Sequence, residues 1–332
     1  MRRSILSAAL ALTVATMVPG AIMAPNVAFA GILFPKESQV GGFVSSAPKE
    51  WGINEPSCVP TGKVKEPVVL IHGTSDNASK WKDAVPVLKG AGMCLWAFDY
   101  GAEDKTLQDV LPRFKAIGDL DASAREVAAQ IEYVREVTGS QKVNLVGHSQ
   151  GGTHTKSYEQ MYGTSNSVAR VVAIGGNYHG TTLSGLAEGT ADALAASKLP
   201  SYLASTASIQ QIAGSEFFTK LNALPDTSAG VMYTSIYSPA DTTVTPNSTS
   251  HLVPVAGSDV VNMNIQDVCG AAPQHARMPN NQVMISQIVW GLTRDFGEQP
   301  NPDSCAVNAS PLASLPSSPA LPTADLPALG SF

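Results

Sequence analysis

The 332-residue chain lacks several signatures that would commit it to particular chemistry. It has no Gly-x-Gly-x-x-Gly turn between a strand and a helix, no phosphate-binding loop and no paired-histidine metal motif, so no cofactor is implied. No Cys-x-x-Cys pair and no Cys/His cluster with zinc-site spacing occurs, so no metal site is implied either. Positive charge is the scarcer sign, with 21 Lys and Arg against 27 Asp and Glu and a formal net charge of −6. That balance argues against a polyanionic partner such as nucleic acid. An unbroken apolar run of the roughly 20 residues that a spanning helix needs is also missing, which argues against a stable membrane span.

The nearest approach to such a run is instructive. Met1-Arg2-Arg3 precedes an apolar stretch from Ile5 to Val18, which Pro19, Gly20 and Pro25 break, and Ala28-Phe29-Ala30 follows. A basic start, a short apolar region and small residues at a cleavage site read as a secretory signal over residues 1–30 rather than an anchor. Its removal takes Arg2 and Arg3 with it and changes the net charge from −6 to −8. The expected product is a secreted protein, extracellular or associated with the cell wall. Four cysteines, Cys58, Cys94, Cys269 and Cys305, suit that setting as an even set in which three pairings are open.

Residues 31–66 have no sustained periodicity and read as an N-terminal arm. From residue 67 the pattern changes. Val68 to Ile71, Met93 to Phe98, Val143 to Val146 and Val168 to Ile174 are short apolar runs, separated by helix-length stretches that include Asp121 to Val137. Val231 to Tyr237 and Val260 to Ile265 continue the series, and Asn280 to Phe296 has the spacing of a closing helix. Buried β-branched runs alternating with helices predict an α/β fold, a mostly parallel sheet of at least six strands with helices on both faces, over residues 67–298. Residues 181–226 break the alternation with an Ala-, Leu- and Ser-rich segment and read as a helical cap insertion. Residues 299–332 hold seven prolines among Ser and Ala, a composition that builds no packed core, and read as a C-terminal tail.

One run carries chemistry. A serine hydroxyl is a weak nucleophile unless it is exposed beside a base, with donors aimed at the oxyanion that forms. Gly147-His148-Ser149-Gln150-Gly151 follows the Val143 to Val146 strand and precedes a helix-forming segment. It thus resembles the strand–turn–helix nucleophile elbow of the α/β-hydrolase fold, with Ser149 as nucleophile. The likeness implies an oxyanion hole made by the backbone N–H groups of Gln150 and Thr74, the latter in Ile71-His72-Gly73-Thr74 after the first buried strand. It also implies the chain order nucleophile, acid, histidine. Asp241, in a turn just past a strand, is favoured as the acid over Asp226, Asp259 and Asp267. His275 lies between the last strand and the last helix and is favoured over His251. His72 reads as a brace for its loop, and His148, His154 and His179 as structural or pocket-lining residues.

More of the chain resembles the secreted bacterial class 2 lipases, especially their actinobacterial triacylglycerol lipase and esterase branch. The anchors are Pro67 to Thr74, Gly92 to Gly101, the elbow, Asn177-Tyr178-His179-Gly180-Thr181, Gln210-Gln211-Ile212-Ala213-Gly214-Ser215 and the Asp241 loop from Ser238 to Pro246. The resemblance implies disulfides in sequential order, Cys58 with Cys94 and Cys269 with Cys305. It implies a Ser149–His275–Asp241 triad acting on acylglycerols or other lipid esters at a lipid–water interface, with insertion residues such as Leu183, Leu186, Leu194, Leu199, Ile209, Ile212, Phe217 and Phe218 lining an acyl pocket. The same residues would serve acyl transfer to an alcohol or polyester cleavage, and a non-catalytic scaffold that binds a cell-surface partner is the alternative from another class.

Overall fold

The computed structural model describes residues 43–102, 114–164, 166–185 and 205–306, all within the unit Gln39–Phe332. The expected signal segment, most of the tail, and Leu186, Leu194 and Leu199 lie outside the described residues.

In chain order the elements are β1 (Val68–Ile71), α1 (Ala84–Gly90), β2 (Leu95–Ala97), α2 (Leu120–Thr138), β3 (Val143–His148), α3 (Gln150–Ser157), β4 (Val168–Ile174), α4 (Thr206–Gln210), α5 (Glu216–Asn222), β5 (Met232–Tyr237), β6 (Asp259–Asn264), α6 (Ile265–Cys269) and α7 (Gln282–Thr293). The six strands form one sheet in the order β2-β1-β3-β4-β5-β6, and every neighbouring pair is parallel.

A parallel sheet must be covered on both faces, and β1 shows how alternation achieves this. Val68 and Leu70 join a core with Leu88 of α1 and Ile288 of α7. Val69 and Ile71 point the other way, into a core with Val127 and Ile131 of α2. The long helix α2 is bounded by its own sequence. Asp119 caps it by accepting from the Ala122 N–H, and Gly139 closes it at φ 68°, a left-handed conformation that favours glycine. Asn281 caps α7 in the same way, accepting from the Met284 N–H.

The strand order reverses at β1. The chain leaves β1 for β2 on one side and returns to β3 on the other, and such a reversal opens a crevice at the carboxyl ends of the two strands. The register pairs Ile71 with Gly147, so the loops that carry Thr74 and Ser149 leave the sheet side by side.

Between β4 and β5 the described part of the insertion holds α4 and α5. Phe217, Phe218, Leu221 and Ala207 pack there in a separate cluster with Leu120 and Ala124 of α2. These aromatic rings therefore anchor the insertion to the domain. Their packing corrects the expectation that they line an acyl pocket, because they are buried against the apolar face of α2 and do not line the Ser149 cavity.

Asp226, where the insertion returns to the sheet, reaches the helix that follows Ser149. The Lys156 ammonium on α3 lies 2.6 Å from the Asp226 carboxylate, with the two side chains 1% and 8% exposed. His179 approaches the other carboxylate oxygen at 3.4 Å, which also accepts from the Val253 N–H at 2.9 Å. Burial alone would raise the Asp226 carboxyl, but the hydrogen bonds from His179 and Lys156 bring it down to about 2. Burial opposes charge on His179, yet its contact with Asp226 raises it overall. The four cysteines form Cys58–Cys94 and Cys269–Cys305, each spanning 36 residues.

Two outcomes are expected. Asp226→Ala strands a buried ammonium and should cost about 3–5 kcal/mol of unfolding free energy, read by urea titration. A depressed carboxyl stabilises above its unfolded value and a raised imidazole below its own. The cluster should therefore contribute most between about pH 4 and pH 6.5, with loss on acidification toward about 2 and on alkalinisation past the raised His179 value. Thermal midpoints measured from about pH 2 to about pH 9 should fall on both flanks in the wild type, and the difference between wild type and Asp226→Asn should be largest between them.

Candidate active site

Ser149 sits between β3 and α3 with φ 55° and ψ −123°, a backbone conformation that costs energy for a residue with a Cβ. The glycines on either side make the turn sterically accessible. A Cβ on Gly147 would lie 2.6 Å from the backbone of Gly151 and Gly152, and one on Gly151 would lie 2.1 Å from the Ile71 carbonyl oxygen. The turn is thus pressed against the end of β1, and only hydrogen fits at both positions. Gly73 is confined less severely, since a Cβ there would meet Ser149 Cβ and His148 Nδ1 at 3.0 Å.

Asp241 and His275 arrive from neighbouring loops, one after β5 and one before α7. His275 Nδ1 lies 2.7 Å from Asp241 Oδ2, and the other carboxylate oxygen accepts from the N–H groups of Thr243 at 2.8 Å and Val244 at 3.0 Å. Gly175, at the end of β4, lies beneath the pair. A Cβ at that position would stand 3.2 Å from His275 Nδ1 and 3.3 Å from Asp241 Oδ2. His148 Nε2 donates to the His275 carbonyl at 3.1 Å and so pins that loop. Burial, with the neighbouring His275, holds the His148 imidazole well below its ordinary value, so it is a neutral prop.

The other carboxylates and histidines weighed from the sequence are engaged elsewhere. Asp226 holds Lys156, and Asp259 holds the buried Arg294 guanidinium at 2.7 Å. Asp267 lies exposed in the first turn of α6. His251 contacts the Tyr237 ring, with centroids 4.8 Å apart. His72 stacks on Tyr100 at 4.5 Å and donates from Nδ1 to the Gly73 carbonyl at 2.9 Å, which braces the Thr74 loop. Among the described residues no group of three or more His, Cys, Asp or Glu is placed to hold a metal ion.

Ser149 and His275 line one cavity of about 300 Å³, with Leu183, Val244 and Ala276 on its apolar side. It shares Ser75 and Asp76 with a polar hollow of about 370 Å³ that Lys80, Lys82 and Asn280 also line. Burial raises the Asp76 carboxyl, against the pull of Lys80. Of the apolar insertion residues named from the sequence, Leu183 is the one that lines the cavity among the described residues.

With this geometry in place, comparison with known proteins is decisive for the family. The sequence model of the lipase (class 2) family matches residues 65–279, well over half of the chain. The chain belongs to the lipase (class 2) family. A curated relative, the abhydrolase domain-containing protein abhd-5.2 of Caenorhabditis elegans, is 33% identical over 110 residues, which cover 33% of this chain and 23% of that protein. Lipase B of Aspergillus fumigatus superposes with a TM-score of 0.55 at 21% identity, covering 76% of this chain and 58% of that one. The propeptide form of lipase BlEst2 from Bacillus licheniformis gives 0.50 at 16% identity, covering 73% and 52%. This chain thus spans about a quarter of the curated relative and little more than half of these two solved chains. The structural likenesses show the α/β-hydrolase fold.

For a class 2 lipase, two parts of this site were not singled out in advance. Gly175 gives no sequence signal beyond its place at a strand end. Gln211 lines the cavity and stands in a motif that served only as a family anchor. The steric reading is open to test: Gly151→Ala, which drives a methyl group into the Ile71 carbonyl, should destabilise by about 1–3 kcal/mol or more in urea titration, whereas Gly139→Ala at the open helix end should cost less.

Proposed function

We propose that this chain is a secreted serine carboxylic-ester hydrolase that cleaves acylglycerols or other lipid esters through Ser149, His275 and Asp241. The single observation that carries the reading is the hydrogen-bonded Asp241–His275 pair, whose His275 lines the same cavity as Ser149 on its strained turn. His275 Nε2 takes the Ser149 proton as Oγ attacks the ester carbonyl, and the resulting oxyanion is held by the backbone N–H groups of Gln150 and Thr74. When the tetrahedral intermediate collapses, the ester C–O bond breaks and His275 returns the proton to the leaving alcohol. Water, deprotonated by the same imidazole, then releases the acid and restores Ser149.

Asp241 fixes the tautomer. Its carboxylate accepts the Nδ1 proton, which leaves Nε2 free to act as base. In Asp241→Asn the amide oxygen would be claimed by the two backbone donors of Thr243 and Val244, and the NH₂ would face His275 Nδ1. Nδ1 would then have to accept and Nε2 would carry the proton, so the imidazole could not take one from serine.

The substrate reading rests on the division of the cleft. An acyl chain gains about 0.8 kcal/mol for each methylene buried along Leu183, Val244 and Ala276, and the alcohol half faces the polar side near Asp76 and Lys80. Export is supported by the two disulfides and by the N-terminal pattern of the sequence. Among the described residues no helix is long and apolar enough to cross a membrane.

Labelling with an organophosphonate should modify Ser149 in the wild type and nothing in Ser149→Ala. His275→Ala and Asp241→Asn should lower kcat by about 10³-fold or more in steady-state assays. On p-nitrophenyl esters of increasing length, kcat/KM should rise beyond acetyl; a strict acetyl preference would remove the lipid-ester reading. N-terminal sequencing of the protein from culture medium should begin at Gly31.

A further inference from the structure

Gln211 lies just beyond α4, in the segment inserted between β4 and β5, and its side chain reaches back to the two residues that supply the oxyanion donors. Its Nε2 donates to Thr74 Oγ1 at 2.7 Å, with a longer approach to Gln150 Oε1 at 3.3 Å. The Thr74 hydroxyl in turn donates to Gln150 Oε1 at 2.7 Å. Gln150 Nε2 lies 3.2 Å from His154 Nε2, and His154 Nδ1 lies 3.3 Å from Ser157 Oγ.

One consistent set of polarities runs through this chain. The Ser157 hydroxyl donates to the His154 carbonyl, so its oxygen is left to accept from His154 Nδ1–H. Burial lowers the His154 imidazole to about 3, so the ring stays neutral and Nε2 presents a lone pair to the Gln150 amide. That sets Gln150 Oε1 as acceptor, Thr74 Oγ1–H as donor to it, and Gln211 Nε2–H as donor to Thr74. A one-way relay of this kind holds its members more firmly than isolated pairs would.

The far end is anchored as well. The Gln211 carbonyl accepts from the Thr181 N–H at 2.9 Å and from Asn177 Nδ2 at 3.2 Å, and its own N–H donates to the Ala207 carbonyl at 3.0 Å. The Gln211 side chain is buried, so little solvent competes for these bonds. Thr74 stands in the loop after β1 and Gln150 at the start of α3, and the Gln211 amide bonds to side chains of both.

We propose that Gln211 is a positioning residue of the oxyanion hole, an amide clamp supplied by the insertion that holds Thr74 and Gln150 at the separation the oxyanion needs. The proposal rests on the ester-hydrolase reading above. Oxyanion donors act mainly in the transition state, so loosening them lowers kcat rather than raising KM. A residue that merely forms part of the cavity wall would do the opposite and would alter chain-length preference.

The test compares wild type with Gln211→Leu, Gln211→Met, Gln211→Glu, Thr74→Val and the Thr74→Val/Gln211→Leu double variant, using a p-nitrophenyl ester and an organophosphonate probe. Gln211→Leu and Gln211→Met should each lower kcat by about 10- to 100-fold, with KM within about twofold, an unchanged order of chain-length preference and a thermal midpoint close to wild type. The rate of phosphonate labelling should fall in parallel, because the phosphonyl oxygen occupies the same donors. Gln211→Glu should be no better than Leu, since a carboxylate accepts from the Thr74 hydroxyl and turns it away from Gln150. In the Thr74→Val background the Gln211→Leu change should cost less than in the wild type, because the shorter of its two bonds is already gone.

Wild-type kcat in Gln211→Leu or Gln211→Met, full activity in Gln211→Glu, or fully additive losses in the double variant would overturn the proposal. If Gln211→Leu fails to fold, Gln211→Met and Gln211→Glu carry the same readouts. A wild type that neither hydrolyses the ester nor labels at Ser149 removes the hydrolase reading and this inference together. A wild type that labels normally beside equally fast Gln211 variants removes this inference alone.

Discussion

The close approach of two backbone segments at the carboxyl ends of β1 and β3 is the constraint on which the site depends. The Ile71 carbonyl occupies the space a Cβ on Gly151 would need, and that contact holds the helix start after Ser149 against the loop that carries Thr74. Parallel register brings the two strand ends level, the reversal of strand order opens the crevice, and the positive φ of Ser149 is sustained by packing on both sides. Were the two strands further apart, the serine would lose both its strained turn and its nearest partner loop.

Around this contact the protein controls charge by burial and pairing. His72, His148 and His154 are all buried, and burial lowers each of them, so three imidazoles close to Ser149 act as neutral hydrogen-bonding props. The buried Lys156 and Arg294 cations are each paired with a carboxylate instead. Lys156 with Asp226 ties α3 to the end of the insertion, and Arg294 with Asp259 ties the end of α7 to β6. A buried ion pair is weak support for net stability but strongly specifies which groups must meet. Here the Lys156–Asp226 pair ties the end of the insertion to the helix that starts just after Ser149.

The insertion consequently has two jobs that its composition does not separate. Phe217 and Phe218 bury themselves against α2, which fixes where α4 and α5 lie. Gln211, a few residues earlier, uses that fixed platform to reach Thr74 and Gln150. Among the described residues the two phenylalanines thus serve the anchoring, while the polar Gln211 side chain bonds to Gln150 of the elbow.

The sequence by itself determined the α/β alternation and the positions of all six strands to within a few residues, because buried parallel strands require short β-branched runs and helices require a periodic apolar face. It also marked the elbow, because only glycine tolerates such a turn, and it put Asp241 and His275 in the right chain order to meet. What it left open was which cysteines pair from spacing alone, which carboxylate reaches which histidine, and which insertion residues face the cavity. Those depend on contacts between segments far apart in the chain: His275 is 34 residues from Asp241, and Gln211 is 137 residues from Thr74. Local periodicity carries no record of such distances. The tertiary structure decided them, because hydrogen-bond direction and burial are set only once the sheet has brought the loops together.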